Sequence, residues 1–249
     1  MSNRLLAMLL NFVLVGCGMD ASRPTATLQP PPTPVPTETA VPAKEALRSV
    51  RHLALGDSYT IGEKVAIRDR WSNQLASLLE AEGIASDVTF IARTGWTVDE
   101  LWAGIQAAPP EGTYDLVTLL IGVNDQYRGY PIDGYREDFR FMLGKAVEYA
   151  GGDAERVMVL SIPDWGFTPF AAVRDTEPIS RQIDAFNAVN FEETEAAGAY
   201  YVDVTGISRM AMDDFELITG DQLHPSGKMY AMWAEEVFPV VLEILKQDN

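Results

Sequence analysis

Five short runs of apolar and β-branched residues, at 50–55, 88–92, 116–121, 157–162 and 200–204, alternate with longer segments of helical period at 71–82, 98–107, 135–149, 179–197 and 225–245. This alternation constrains the fold more than any other feature of the chain. Parallel strands cannot be joined by a tight turn and need a crossover, which a helix supplies while covering one face of the sheet. The expected architecture is therefore α/β, a three-layer α/β/α sandwich around a five-stranded parallel sheet, in one domain spanning 48–249. An apolar fraction of 47% over 249 residues is enough to fill its core.

The residues ahead of the first strand have a different character. Arg4, an apolar run at 5–15 and the small residues that follow read as an export signal, too short to cross a bilayer. Leu14, Val15, Gly16 and Cys17 resemble the lipobox of bacterial lipoproteins, which implies a signal peptide at 1–16, lipidation of Cys17 and anchoring to the cell envelope outside the cytoplasm. Cys17 is the only cysteine, so it has no intramolecular disulfide partner. From about 20 to 47 prolines alternate with threonines, a composition that favours extended polyproline II with a rise of about 3.1 Å per residue. Residues 17–47 read as an anchor and a spacer.

Charge and motif absences narrow the function. With 36 acidic against 19 basic residues the net charge is -17, which repels phosphate backbones and argues against a nucleic-acid partner. Two well-separated histidines and one cysteine give no metal-ligand pattern, no Gly-rich phosphate loop is present, and no cofactor is expected. The cluster Asp213, Asp214 and Glu216 reads as a solvated loop rather than a cation site.

In a parallel sheet ligands bind beyond the carboxyl ends of the strands. Those loops begin at Gly56, Arg93, Gly122, Pro163 and Thr205, and residues able to do chemistry gather in them. Ser58 follows the first strand. His224 lies near the last helix, three residues after Asp221. A serine hydroxyl needs a hydrogen-bonded base to become a nucleophile, and an imidazole needs a carboxylate to fix its tautomer. Pro225 suits a first helical position, which would set His224 at a helix N-terminus. His52, at the far end of the first strand, reads as a core or rim residue; Asp57 reads as structural, and Asp125 as a support for the Asn124 loop.

Four separated blocks, Gly56-Asp57-Ser58, Gly95, Gly122 with Asn124 and Asp125, and Asp221 with His224 and Pro225, together resemble the SGNH hydrolases, or GDSL-like lipases and esterases, over essentially the whole chain from 50 onward. The resemblance implies a flavodoxin-like α/β/α fold and ester or thioester hydrolysis without a metal. It also implies a triad of Ser58, Asp221 and His224, with an oxyanion hole made by the backbone N–H groups of Ser58 and Gly95 and by the Asn124 amide. Tyr59, Trp96, Tyr127, Trp165 and Phe167 crowd the same loops and are candidates for the substrate pocket. A conventional α/β-hydrolase would carry Gly-x-Ser-x-Gly, which is absent. Short acyl esters, such as acetylated carbohydrate, and lysophospholipid are the candidate substrates. The alternatives are an inactive surface lipoprotein that binds a glycan or peptide, and an O-acyltransferase using the same acyl-serine. The residues leave the oligomeric state open.

Overall fold

The computed structural model describes residues 48–246. The expected signal segment, Cys17 and the expected Pro/Thr-rich spacer lie outside the described residues. Five strands, β1 (Arg48–Gly56), β2 (Ile84–Ala92), β3 (Leu116–Leu120), β4 (Val157–Leu160) and β5 (Tyr200–Val202), form one parallel sheet in the order β2-β1-β3-β4-β5. This is the doubly wound, flavodoxin-like order.

The order dictates the layers. The path from β1 to β2 runs one way across the sheet, and the paths from β2 to β3, β4 and β5 run the other way. Right-handed crossovers then put α2 (Trp71–Ala81) on one face and α3 (Val98–Ala107), α5 (Ile132–Tyr149) and α6 (Thr176–Ala197) on the opposite one. The closing helix α8 (Gly227–Lys246) packs against α2, while α5 packs against both α3 and α6. Leu53, Leu55, Leu119, Val159 and Leu160 are fully buried between these layers, as near-continuous apolar strands covered on both faces should be.

Three short helices, α1 (Ser58–Ile61), α4 (Val123–Tyr127) and α7 (Thr205–Arg209), begin just past the ends of β1, β3 and β5. Four or five residues carry too little periodicity to stand out in the sequence. The start of α8 departs from expectation. Pro225 is not its first residue but pairs with Ile218 in an isolated bridge, and Ser226 starts the turn: its carbonyl accepts from Tyr230 N–H (3.0 Å) and its Oγ from Met229 N–H (3.4 Å). β4 stops at Leu160 because the Ile162 N–H is taken by the Asn187 side chain at 2.8 Å rather than by a strand. α6 begins three residues before the expected 179, since Pro178 falls in its first turn, where the missing N–H costs no helical bond. His52 lies within β1 and is fully buried, its Nε2 2.9 Å from Thr118 Oγ1. Burial holds its pKa down to about 3.

Candidate active site

β1 sits where the chain's crossovers change direction, and Gly56 at its end pairs with Ala92 of β2 and Leu120 of β3. The loops after these strands therefore leave the sheet at one level, around the crevice that forms at such a switch point. Gly56 is required by close approach: a Cβ there would lie 2.2 Å from Thr60 Oγ1 and 2.3 Å from Leu120 O. Asp57 Oδ1 accepts from Tyr59 N–H at 2.9 Å, which starts α1 with Ser58 as its first residue. Asp57 is fully buried, and desolvation, opposed by the Tyr59 N–H and reinforced by the charge of Asp125, pushes its carboxyl up to about 8. The group supports the turn that starts α1.

The segment from Thr219 to His224 folds back on itself. Gln222 N–H donates to Thr219 O (3.0 Å), Thr219 N–H donates to His224 O (2.8 Å), and Gln222 takes a left-handed conformation with φ of 68°. That turn aims the Asp221 carboxylate at its own successors. Oδ1 accepts from Leu223 N–H (2.9 Å), His224 N–H (3.0 Å) and the Thr219 hydroxyl (2.8 Å), while Oδ2 lies 2.6 Å from His224 Nδ1. Desolvation raises the Asp221 pKa, but the bonds from the His224 backbone and ring, Leu223 and Thr219 outweigh it and hold the group ionised well below the usual carboxylate range. An ionised Asp221 keeps the imidazole proton on Nδ1 and leaves Nε2 as the basic nitrogen.

Two further loops complete the rim. Gly95 adopts φ of 86°, a left-handed conformation that suits glycine, and its carbonyl accepts from Arg128 at 2.6 Å. Arg128 is itself held by Glu100 (3.0 and 3.1 Å), whose carboxylate also accepts from Thr97 N–H at the start of α3 (3.1 Å). Next to Gly95, the Thr94 hydroxyl donates to Glu63 at 2.5 Å, joining this loop to the one after α1. The Asn124 amide donates to Trp96 O at 2.9 Å and leans toward Asp57 Oδ2 at 3.4 Å. Asp125, whose pKa burial pushes up to about 7, receives Val98 N–H on both oxygens at 3.3 Å and so ties α4 to α3.

These residues converge. Ser58, Gly95, Asn124 and His224 line one cavity of about 210 Å³, together with Tyr59, Thr94, Val123, Tyr127, Trp165, Phe170 and Leu223. The Tyr59 ring packs 5.5 Å from the His224 ring. Trp165 and Tyr127 meet edge-on at 5.3 Å, and Trp165 is fixed by its indole N–H bond to Gln126 Oε1 (2.8 Å).

Two pocket expectations are corrected. The Trp96 ring does not line the cavity but lies where a Cβ on Gly104 would sit, packed on α3, and only its carbonyl reaches Asn124. Phe167 also points elsewhere, under the Arg209 guanidinium, and Phe170 takes the place expected of it. Sequence reasoning missed Phe170 and the Arg128–Glu100 clasp; aromatic content in the loop after β4 was visible, but which ring turns inward depends on the turns at 165–171. His224 stands three residues ahead of α8 instead of capping it, so Asp221 and not a helix dipole dominates its surroundings. The acidic cluster is occupied by Lys228, which pairs with Asp214 (2.7 Å) and Glu216 (2.8 Å). No group of three or more His, Cys, Asp or Glu that could hold a metal occurs among the described residues, nor does a helix long and apolar enough to cross a membrane.

Comparison with known proteins agrees with the fold. Among the solved structures similar in fold is that of TesA, 22% identical, covering 78% of this chain and 99% of its own, with a TM-score of 0.62. A lipolytic protein of the G-D-S-L family from Veillonella parvula is 17% identical over 77% of this chain and 98% of its own, with a TM-score of 0.60. The acetylxylan esterase Axe2 from Geobacillus stearothermophilus is 18% identical over 80% of this chain and 96% of its own, with a TM-score of 0.62. No curated protein matches in sequence. Residues 54–232 match the GDSL-like Lipase/Acylhydrolase family, a span that takes in Ser58, Gly95, Asn124, Asp221 and His224, and the chain belongs to that family.

Proposed function

We propose that this acylhydrolase-family protein is a serine ester hydrolase in which Ser58 is the nucleophile, His224 the general base and acid, and Asp221 the residue that orients and charges the imidazole. The observation that carries the reading is the 2.6 Å contact between Asp221 Oδ2 and His224 Nδ1, made by a histidine that shares a cavity with Ser58. In the proposed cycle His224 Nε2 takes the Ser58 proton as Oγ attacks the acyl carbon. The carbonyl oxygen becomes an oxyanion, received by the N–H groups of Ser58 and Gly95 and by the Asn124 amide. Collapse expels the alcohol, which takes the proton from His224, and leaves an acyl-serine. Water, deprotonated by the same nitrogen, then releases the acid.

The substrate we favour is a short acyl ester, such as acetylated carbohydrate, over lysophospholipid. A cavity of about 210 Å³ is smaller than the roughly 300–1,000 Å³ that drug-sized ligands fill, and its Tyr127, Trp165 and Phe170 walls suit a sugar face. Export and lipid anchoring through Cys17 are part of the same proposal.

The direct test is labelling with a fluorophosphonate followed by peptide mapping. The adduct should fall on Ser58, be absent from Ser58→Ala and form slowly in His224→Ala. Labelling of Ser58→Ala equal to the parent would overturn the assignment.

A further inference from the structure

In the segment between β4 and α6, the exposed Arg174, which does not itself line the cavity, lies over three aromatic rings at once. Its guanidinium carbon is 5.5 Å from the centroid of Tyr127, 5.1 Å from Trp165 and 5.2 Å from Phe170. All three rings line the cavity shared by Ser58 and His224. Other arginines of these loops and short helices are committed: Arg128 to Glu100, and Arg209 to Asp164 and Asp184. Arg174 has no carboxylate partner among the described residues, and its one side-chain hydrogen bond is a 3.4 Å contact to Tyr127 Oη. This is notable in a chain with 36 acidic side chains and a net charge of -17.

A guanidinium has five N–H donors in one plane. The three rings are steeply inclined to one another and surround the guanidinium on their side, while N–H groups pointing away from them stay available, and such an edge can grip a carboxylate or phosphate in a bidentate pair. The rings hold the fork in place, so less side-chain freedom is lost when an anion arrives. Repulsion from the remaining acidic surface acts at long range and is screened beyond about 8 Å at physiological salt, so a charge held against the cavity's aromatic wall can decide.

We propose that Arg174 is an anion-recognition residue, selecting esters that carry a carboxylate or phosphate on the portion lying against Trp165 and Phe170. This rests on Ser58 being the nucleophile. Binding of the anion orients the ester and lowers KM, while the chemical steps remain with Ser58 and His224.

The test compares two anionic aryl esters with neutral partners of matched shape, using the full-length protein. 4-Nitrophenyl hydrogen glutarate is set against 4-nitrophenyl methyl glutarate, which places the charge on the acyl side. 4-Acetoxybenzoate is set against its methyl ester, which places it on the alcohol side. The quantity read is the ratio of kcat/KM, anionic over neutral. In at least one pair this ratio should fall about three- to tenfold in Arg174→Gln and Arg174→Met, mainly through KM, and be only partly restored in Arg174→Lys, which keeps the charge but not the planar fork, in line with the modest strength of partly exposed charge pairs. Raising salt from about 0.05 to about 0.5 M should erode the same ratio in the parent. The pair that responds identifies the side of the ester that bears the charge. If both ratios are unchanged in Gln and Met, including the case where all four rates drop together, Arg174 merely braces the loop and the proposal is wrong. Failure of the underlying reading has a different signature: Ser58→Ala would keep parental turnover on all four esters.

Discussion

At the scale of single residues, the site works by assigning opposite states to carboxylates that share one crevice. Asp221, bonded by three N–H groups and a hydroxyl, is held in its ionised form, while burial beside Ser58 pushes the Asp57 carboxyl up to about 8. The sign of the resulting pH dependence follows from the unfolded value near 3.8: the folded protein retains a proton that the unfolded chain releases between about 4 and 8. Stability from Asp57 is fully present below the unfolded value and lost as pH rises through about 8, with a slope of up to about 1.4 kcal/mol per pH unit. Asp57→Asn, which keeps an acceptor for Tyr59 N–H, should flatten the fall in thermal midpoint between about pH 5 and 8, leaving a smaller decline from Asp125; a midpoint profile parallel to the parent's would contradict this. Asn124→Ala should lower kcat on the order of 100-fold with little change in KM, as loss of one oxyanion donor does, and an undiminished kcat in the folded variant would remove Asn124 from that role. That Ser58, Gly95, Asn124 and His224 meet at one cavity, with Asp221 bonded to the imidazole, was legible through the four short blocks that resemble the family. The upward shift of the Asp57 pKa was not, since it depends on complete burial that no local pattern reveals.

Among elements, the helix layers set how firmly the loops are held. On the face formed by α3, α5 and α6, Glu193 of α6 accepts from Arg136 (2.8 Å) and Arg140 (2.6 and 2.9 Å) of α5, and Tyr135 Oη donates to Asn190 Oδ1 at 2.5 Å one turn away. Glu193 is buried while its arginines are partly exposed, so the clasp is worth more than a surface pair and less than a fully desolvated one. Glu193→Ala should cost about 1–2 kcal/mol in urea denaturation with kcat unaffected, and no loss of stability would show that apolar packing alone joins α5 to α6. The major elements were legible because their periods differ and their crossovers demand helices. Boundaries were not: β4 ends where the Asn187 side chain, distant in sequence, captures a backbone N–H, and α8 begins at Gly227 because Pro225 is engaged with Ile218 in a bridge that no periodicity reveals.

For the molecule as a whole, the doubly wound order matters most, because it opens a crevice between the ends of β1 and β3 and brings residues 58 and 224 to one cavity across most of the chain. Topology of this kind was legible only through the family blocks, since alternating strands and helices alone permit several strand orders. The proposed envelope anchor belongs to this scale too. Cys17→Ala should move the protein from the membrane fraction to the soluble one on cell fractionation, and unchanged partitioning would remove the lipoprotein reading. The central claim is that Ser58 attacks with the help of His224, and turnover of 4-nitrophenyl acetate by Ser58→Ala beside the parent tests it most directly. A fall in kcat/KM of about a thousandfold or more, with the thermal midpoint preserved, is the expected result. A folded Ser58→Ala as active as the parent would contradict it.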